Sequence, residues 1–330
     1  MIEALPFARS LTTSGAQRLH AAARQIYAEC GAASPSPELF ARVGQAVPML
    51  GEAALDQCRP VDTADGLFVL TGLPIDDEAI GATPSSWATA GDGGVQDIVL
   101  LLLSAAMGDL IAWPGQQDGR FVHNIVPTRG HESEQTGASS TVLLSPHTED
   151  AFHPGRANLL LLGCMRNHDR IATTAASIRR TRLDDADLET LSRAEVPILP
   201  DDSYTEAQSY AHQPPPPVPT LFHADDGLTL RFDPAYTPLE RATPAYQQAY
   251  RRLTAELTRV SVSVALSPGQ VLVIDNDQAV HGRVPFRPRY DGTDRWLKRA
   301  SVRVPGRRTR PPAEADEHGY GQAILEARTS

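Results

Sequence analysis

Apolar residues recur at helical spacing in the first part of the chain. The clearest stripe repeats at close to 3.6 residues and consists of Leu19, Ala22, Ala23, Ile26 and Tyr27. It predicts a helix over residues 14–30 that ends at Gly31, because glycine commonly terminates helices. A second helix is expected from residue 37 to about 55, weakened at Pro48, and a third from 96 to 107.

Short apolar runs bounded by turn residues characterise the remaining chain and predict β-strands. The predicted strands are Leu67–Leu70, Arg156–Cys164, Ala172–Ile178, Leu228–Phe232, Gln270–Ile274 and Arg299–Val304. Two helical insertions, Leu183–Arg193 and Thr243–Val264, separate some of these strands. Helices followed by many short strands indicate a mainly β fold with helices, of the α+β class, in which a barrel core carries the helices.

A candidate metal site is split between two distant parts of the chain. His147 and Glu149 are separated by one residue, and on a strand residues i and i+2 point to the same face. His281 follows the predicted strand residues Val271–Asp275, after a turn at Asn276–Asp277. Two imidazoles and one carboxylate form the facial triad that holds non-haem Fe(II) and leaves positions open for substrates. The same three ligands also fit a catalytic zinc site, so zinc stays an alternative.

The architecture that brings an H-x-E pair and a distal histidine to one ion is the double-stranded β-helix, a jelly-roll variant. We therefore expect one domain over residues 1–330. Its predicted parts are a mostly helical segment over 1–95, a jelly-roll core with helical insertions over 96–304, and a loosely packed tail over 305–330. The tail prediction depends on its arginines and prolines.

Two arginines downstream of His281 are candidates for binding carboxylates. Arg295 and Arg299 are four residues apart, so they share a face on a strand. The planar guanidinium binds carboxylates through two parallel hydrogen bonds. Two such groups facing inward indicate two carboxylates, one on a co-substrate and one on an amino-acid substrate.

Several segments, in order, resemble the clavaminate synthase-like branch of the Fe(II)/2-oxoglutarate oxygenases. The nearest likeness is to the free L-arginine hydroxylases and the asparagine oxygenase of that branch. The segments are Trp113–Arg120, Ser145–Pro154, Cys164–Asn167, His281–Phe286 and Tyr290–Arg299. The resemblance covers about residues 108–304, and the glutamate of the H-x-E pair matches this branch, whereas the wider family more often has aspartate.

The resemblance implies roles for the metal and co-substrate ligands. His147, Glu149 and His281 are expected to hold Fe(II). Arg295 is expected to bind the distal carboxylate of 2-oxoglutarate. A neighbouring threonine, Thr173 in preference to Thr174, is expected to donate its hydroxyl to the same carboxylate.

It also implies roles for substrate contacts. Arg299 is expected to hold the α-carboxylate of the substrate, while Gln116 and the outer oxygen of Glu149 contact its amino end. Asp233 lies where arginine hydroxylases place acids against the guanidinium. Position 235 is alanine rather than a second acid, which weakens the prediction of arginine, because two carboxylates fix a guanidinium better than one.

The implied reaction is hydroxylation of an unactivated β or γ carbon, with 2-oxoglutarate and O₂ as co-substrates. The expected substrate is a free L-amino acid with a basic or long polar side chain, such as arginine, lysine, citrulline or enduracididine, in antibiotic-type metabolism. The alternatives are desaturation of the same substrates, a metal-binding jelly-roll protein without redox chemistry, and a zinc hydrolase. Arg295 and Thr173 favour the oxygenase, because a non-catalytic barrel does not need a 2-oxoglutarate clamp.

Composition limits the kinds of partner and the cellular compartment that we expect. A formal net charge of −10 argues against nucleic acid and anionic membranes as partners, and the small-molecule amino acid is the partner that the resemblance implies. No apolar stretch is long enough for a membrane span, and the N-terminus lacks the pattern of a signal peptide. Three cysteines without a C-x-x-C motif indicate reduced thiols and a cytoplasmic protein. The sequence does not determine the oligomeric state.

Overall fold

Two β-sheets face each other at the centre of the molecule. A computed structural model describes residues 7–31, 33–60, 63–91, 93–201, 204, 216–314 and 317–327. Its strands are β1 Ala8–Ser10, β2 Leu67–Thr71, β3 Asp109–Ala112, β4 His123–Ile125, β5 Leu144–His147, β6 Leu159–Arg166, β7 Thr173–Ser177, β8 Leu221–Ala224, β9 Gly227–Leu230, β10 Val262–Val264, β11 Val271–Asp275, β12 Ala279–Arg283, β13 Trp296–Arg303 and β14 Leu325–Glu326.

The α-helices lie in sequence before and between these strands. They are α1 Thr13–Cys30, α2 Pro37–Ala46, α3 Glu52–Cys58, α4 Asp77–Ile80, α5 Val95–Ala105, α6 Asp185–Leu191 and α7 Pro244–Val260. Short 3-10 turns occupy Val47–Leu50, Trp87–Thr89, Gln117–Gly119, Ile178–Arg180, Leu239–Arg241, Pro312–Glu314 and Gly319–Gly321. None of the helices in the described ranges is long and apolar enough to cross a bilayer.

The larger sheet has the order β1-β2-β11-β6-β13-β3-β14, with β4 also paired to β13, and the smaller sheet has the order β10-β7-β12-β5. Strand β6 explains how the larger sheet is buried on both faces. Leu160, Leu162 and Cys164 pack inward, in one apolar cluster with Ala175 and Val264 of the smaller sheet. The intervening leucines of β6 point to the helices on the other side, so the strand is apolar from Leu159 to Met165.

Helices cover the outer faces of both sheets. The N-terminal helices α1, α2 and α5 pack on the larger sheet, and α5 is buried over Ile98–Leu103. Helix α7 covers the smaller sheet, where Tyr246, Tyr250 and Leu253 join Ala176 of β7 and Val280 of β12. The predicted jelly-roll core carrying N-terminal and inserted helices therefore matches the observed arrangement.

Two predicted helices have different bounds in the structure. The helix predicted over 37–55 is broken into α2, a 3-10 turn containing Pro48, and α3, because Gly51 adopts a φ of 88°. The insertion predicted over Thr243–Val264 is helical only to Val260. Its last residues form β10 instead, which pairs with β7 and buries Val264.

The tail was predicted to be loosely packed, and this prediction is wrong for its described residues. Arg308, Glu314 and Tyr320 are all buried. Arg156 donates two hydrogen bonds to Glu314, at 3.0 and 3.1 Å. Charged residues are typical of exposed tails, but here Arg308, Arg310 and Glu314 pair with buried groups of opposite charge, which the sequence pattern does not reveal. Residues 315–316 and 328–330 lie outside the described ranges.

Candidate metal centre and active-site pocket

The three candidate metal ligands meet at one end of the smaller sheet. His147 on β5 is directly opposite His281 on β12 in the antiparallel register, and their ring centroids are 4.4 Å apart. Glu149 Oε2 lies 3.3 Å from His281 Nε2 and 3.8 Å from His147 Nε2. One ligand atom from each residue lies within 4.8 Å of the others, so a single ion can contact all three.

The sequence analysis expected Glu149 to lie on the same strand as His147, but the structure differs. Strand β5 ends at His147, and Glu149 lies in the following turn, where Asp150 has a φ of 51°. Thr148 is bound to Phe232 through both backbone and side chain: its N–H donates to Phe232 O at 2.7 Å, and its Oγ1 accepts from Phe232 N at 3.1 Å. The two ligands therefore reach the same point although the strand that carries His147 has ended.

The donor set fits a divalent cation. Glu149 Oε2 is buried and accepts no hydrogen bond from the residues that the structure describes, although it faces both histidines. His147 Nδ1 lies 2.8 Å from Ser145 O, which leaves Nε2 to face the site. Burial alone raises the pKa of Glu149, but Arg299 and the two histidines hold it well below its usual range. A carboxylate that stays charged beside two imidazoles is the ligand set of an Fe(II) facial triad.

Arg295 and Thr173 contact each other, as the clamp prediction requires. Arg295 is nine-tenths buried, and its Nη2 donates to Thr173 Oγ1 at 2.9 Å. Its Nε is buried without a hydrogen-bond partner among the described residues. Thr173 lines the cavity and is buried, whereas Thr174, the next residue along β7, is not among the lining residues. The geometry therefore favours Thr173 of the two candidates.

Arg299 is engaged with the candidate metal carboxylate. Its Nη1 forms an ion pair with Glu149 Oε1, and its Nη2 donates to Gln116 Oε1 at 3.2 Å. Nη2 also lies 2.8 Å from Nδ1 of His123. Burial and the charge of Arg299 lower the pKa of His123 to about 3, so this imidazole is neutral and accepts the hydrogen bond. His123, which the sequence analysis left without a role, thus helps to orient Arg299.

A second acid that the sequence analysis missed lies near Asp233. Asp233 Oδ1 accepts hydrogen bonds from Ala235 N and Tyr236 N, at 3.0 and 3.3 Å, which is the geometry of a turn. The same residue lines the cavity, and so does Asp201. Burial raises the pKa of Asp233 to about 6, the charge of His147 opposes this, and the charge of Asp201 contributes to it. The structure thus brings together two acids that no sequence motif connects.

Asp150 is another buried acid without a predicted role. Trp113 Nε1 donates to one of its oxygens at 2.7 Å, and Tyr204 Oη donates to the other at 2.5 Å. Burial and the charge of Glu149 raise its pKa to about 7. These contacts tie Tyr204 to the residue next to the candidate metal carboxylate.

The predicted site residues all line one cavity of about 460 Å³. They are Gln116, His147, Glu149, Thr173, Asp233, His281, Arg295 and Arg299. A cavity of this size accommodates two small carboxylic acids together. The individual roles assigned to these residues remain predictions.

Known proteins resemble this chain in sequence and in fold. The family model described as taurine catabolism dioxygenase TauD, TfdA family matches residues 63–301. An enduracididine beta-hydroxylase from Streptomyces hygroscopicus is 39% identical over 273 residues, which cover 76% of this chain and 80% of that protein. An L-ornithine/L-arginine 3-hydroxylase from Catenulispora acidiphila is 32% identical over 280 residues, which cover 77% of this chain and 82% of that protein.

A solved structure extends the likeness to nearly the whole chain. The non-heme iron oxygenase OrfP in complex with Fe, succinate and (3R,4R)-dihydroxy-L-Arg superimposes with a TM-score of 0.82 at 34% sequence identity. The match covers 90% of this chain and 94% of that one.

Proposed function

Because this chain belongs to the taurine catabolism dioxygenase TauD, TfdA family, and is an Fe(II)/2-oxoglutarate-dependent dioxygenase, we propose that it hydroxylates a free L-amino acid with a basic or long polar side chain. The predicted resemblance to the clavaminate synthase-like branch is confirmed. The position attacked is the β or γ carbon. Arginine and cyclic arginine analogues such as enduracididine are the first substrates to test, because relatives named for them share 32% and 39% identity with this chain.

The observation that carries this proposal is the charge distribution in the cavity. Arg295 and Arg299 supply positive charge close to the three candidate metal ligands. Two acids, Asp201 and Asp233, line the same cavity. An amino acid with a basic side chain carries a carboxylate at one end and a cation at the other. The cavity offers a partner of opposite charge to each end.

In the proposed reaction, the protein binds and orients its ligands. His147, Glu149 and His281 hold Fe(II), while Arg295 and Thr173 hold the distal carboxylate of 2-oxoglutarate. Bound Fe(II) supplies the chemistry that couples O₂ and the decarboxylation of 2-oxoglutarate to succinate and CO₂ with insertion of one oxygen atom into a C–H bond. Arg299 turns one guanidinium edge to the substrate carboxylate, and its buried Nε, which lacks a partner among the described residues, is a donor for it.

The paired acids support a cationic side chain more strongly than Asp233 alone does. Burial and a neighbouring negative charge both disfavour the ionised form of Asp233, whose pKa is about 6. A guanidinium or ammonium group bound between Asp233 and Asp201 favours the ionised form of Asp233. The carboxylates in turn stabilise the bound cation. Asp201 therefore takes the place of the second acid that the sequence lacks at position 235.

We also propose that the enzyme works in the cytoplasm on small molecules. All three cysteines are free in the structure, and Cys58 and Cys164 are buried in apolar surroundings. Nothing in this thiol pattern requires an oxidising compartment.

The test is succinate formation from 2-oxoglutarate by anaerobically prepared, Fe(II)-loaded enzyme, with amino-acid products analysed by mass. Arginine, enduracididine, lysine and citrulline form the panel, and norleucine is the neutral control. We expect substrate-dependent succinate with a gain of one oxygen in the product. A loss of two hydrogens would assign a desaturase instead. Absence of turnover with every amino acid, in a preparation that binds Fe(II), would refute the free-amino-acid proposal.

A variant pair shows whether turnover depends on the proposed iron site. H147A is expected to abolish succinate formation, whereas replacement of the exposed His168 by alanine leaves it unchanged. Equal activity of H147A and the wild type would exclude His147 as a ligand.

A further inference from the structure

Asn276 holds the backbone of the candidate metal carboxylate from two sides. Its Oδ1 accepts a hydrogen bond from Glu149 N at 2.8 Å, and its Nδ2 donates to Glu149 O at 3.0 Å. Nδ2 also donates to Ala157 O at 3.0 Å, and the side chain is fully buried. Because Glu149 lies beyond the end of β5, the ladder between β5 and β12 does not fix its backbone. The amide of Asn276 supplies the missing constraint.

The turn that carries Asn276 is itself held by arginines from the C-terminal segment. Asn276 lies between β11 and β12, and its neighbours Asp275 and Asp277 are buried. Arg308 donates to Asp275 Oδ1 and Oδ2 at 2.7 and 2.9 Å. Arg310 forms an ion pair with Asp277.

These ion pairs neutralise charges that burial makes costly. Asp275 also accepts from Arg307 Nη2 at 2.8 Å, and Asp277 accepts from Asn158 Nδ2 at 2.8 Å. Burial alone raises the pKa of Asp277, but the nearby arginines hold it below its usual range, so the carboxylate stays charged. Removing one arginine leaves a buried carboxylate undercompensated, and the turn then rearranges to reach water.

We propose that Asn276 is a positioning residue for Glu149, and that the C-terminal arginines Arg308 and Arg310 hold Asn276 in place through Asp275 and Asp277. Metal affinity then depends on a segment that does not line the cavity. This inference rests on the proposed metal site. It deepens that proposal by adding the residues that hold the carboxylate ligand in its orientation.

The experiment is Co(II) binding to metal-free enzyme, followed by the d–d absorption of the bound ion and independent of turnover. In N276A, Glu149 loses both backbone contacts, and we expect the dissociation constant to rise about ten- to a hundredfold, as is typical when a residue supporting a metal ligand is lost. The matched control is N167A. Asn167 is also buried and makes three hydrogen bonds to backbone groups, at 2.9, 2.9 and 3.1 Å, but to Ile171 and Leu266.

A second pair of variants tests the arginines and covers the case in which N276A does not fold. R308Q is expected to weaken Co(II) binding severalfold. R252Q is its control, because Arg252 of α7 pairs with Asp187, a buried acid of α6, through hydrogen bonds of 2.7 and 2.9 Å. Thermal unfolding of each variant measures the general loss of stability that both pairs share.

The outcomes separate this inference from the proposed function. Weaker Co(II) binding in N276A and R308Q, with near wild-type affinity in N167A and R252Q, supports it. Wild-type affinity in a folded N276A, or an equal loss in N167A, overturns it while leaving the metal site intact. If the wild type itself binds no Co(II), both the metal site and this inference fail.

Discussion

Replacing Arg295 by methionine tests the predicted 2-oxoglutarate clamp most directly. Methionine keeps an unbranched side chain in the space but removes the charge and all hydrogen-bond donors. The guanidinium is nine-tenths buried, with Nη2 on Thr173 Oγ1 at 2.9 Å and Nε without a partner in the described ranges. The cation is therefore poised for an anion that the described part of the chain does not supply.

The expected size of the effect follows from the pKa of this group. Burial lowers the pKa of Arg295 to about 10, from an ordinary value of 12.5. Because one pKa unit corresponds to about 1.4 kcal/mol, the charged form is destabilised by roughly 3 kcal/mol until an anion compensates it. Truncating one partner of a buried charge pair typically costs ~2–5 kcal/mol, which is the same order. We therefore expect R295M to weaken 2-oxoglutarate binding roughly a hundredfold.

The assay is calorimetric titration of 2-oxoglutarate into anaerobic, Co(II)-loaded enzyme, supported by the KM for 2-oxoglutarate in the succinate assay. T173V is expected to lose about tenfold, because it removes one hydrogen bond to a charged ligand. T174V is the matched control, because Thr173 lines the cavity and the adjacent Thr174 does not. Unchanged affinity in R295M would refute the clamp, and equal losses in both threonine variants would refute the choice of Thr173.

Two further predictions concern the acids. D233N and D201N are each expected to raise the KM for a cationic amino acid about tenfold or more while leaving that for norleucine unchanged, because one charge-assisted hydrogen bond is lost; equal effects on both substrates would contradict a cation site. E314Q is expected to lower the free energy of unfolding at pH 7 by about 3–5 kcal/mol, because it leaves the fully buried Arg156 unpaired. Arg156 and Arg231 hold the pKa of Glu314 below its usual 4.5 despite burial, so its contribution is complete above about pH 4.5 and is lost as the pH falls through the lower folded-state pKa. Denaturant unfolding should therefore show the gap between E314Q and wild type narrowing only below about pH 4.5, and a gap independent of pH would contradict this account.

Local patterns were sufficient for the long elements. Helix α1 and strand β11 follow from apolar spacing and end near turn residues, within a few positions of the predicted bounds. The short strands β4 and β10 were not predicted as such, because three residues carry too little periodicity. Their conformation is set by the partner strands to which they hydrogen-bond.

Some site residues could likewise be predicted from local sequence, and others could not. His147, Glu149 and His281 were predicted because their chemistry is specific and a spacing of two needs only local geometry. Arg295 and Arg299 were predicted from their four-residue spacing, although Arg295 lies one residue before β13. Asn276 and Asp201 were not predicted as site residues, since an asparagine in a turn and an acid in a loop are common everywhere in proteins.

The amino-acid sequence by itself determined the ligand types, the covalent spacing within each motif and the apolar faces that form the two sheets. Only the tertiary structure decided which distant groups meet: Asn276 with the backbone of Glu149, Arg308 with Asp275, and Asp201 with Asp233 on one cavity. The physical reason is that these contacts satisfy buried polar and charged groups, and burial is a property of the packed fold rather than of any segment.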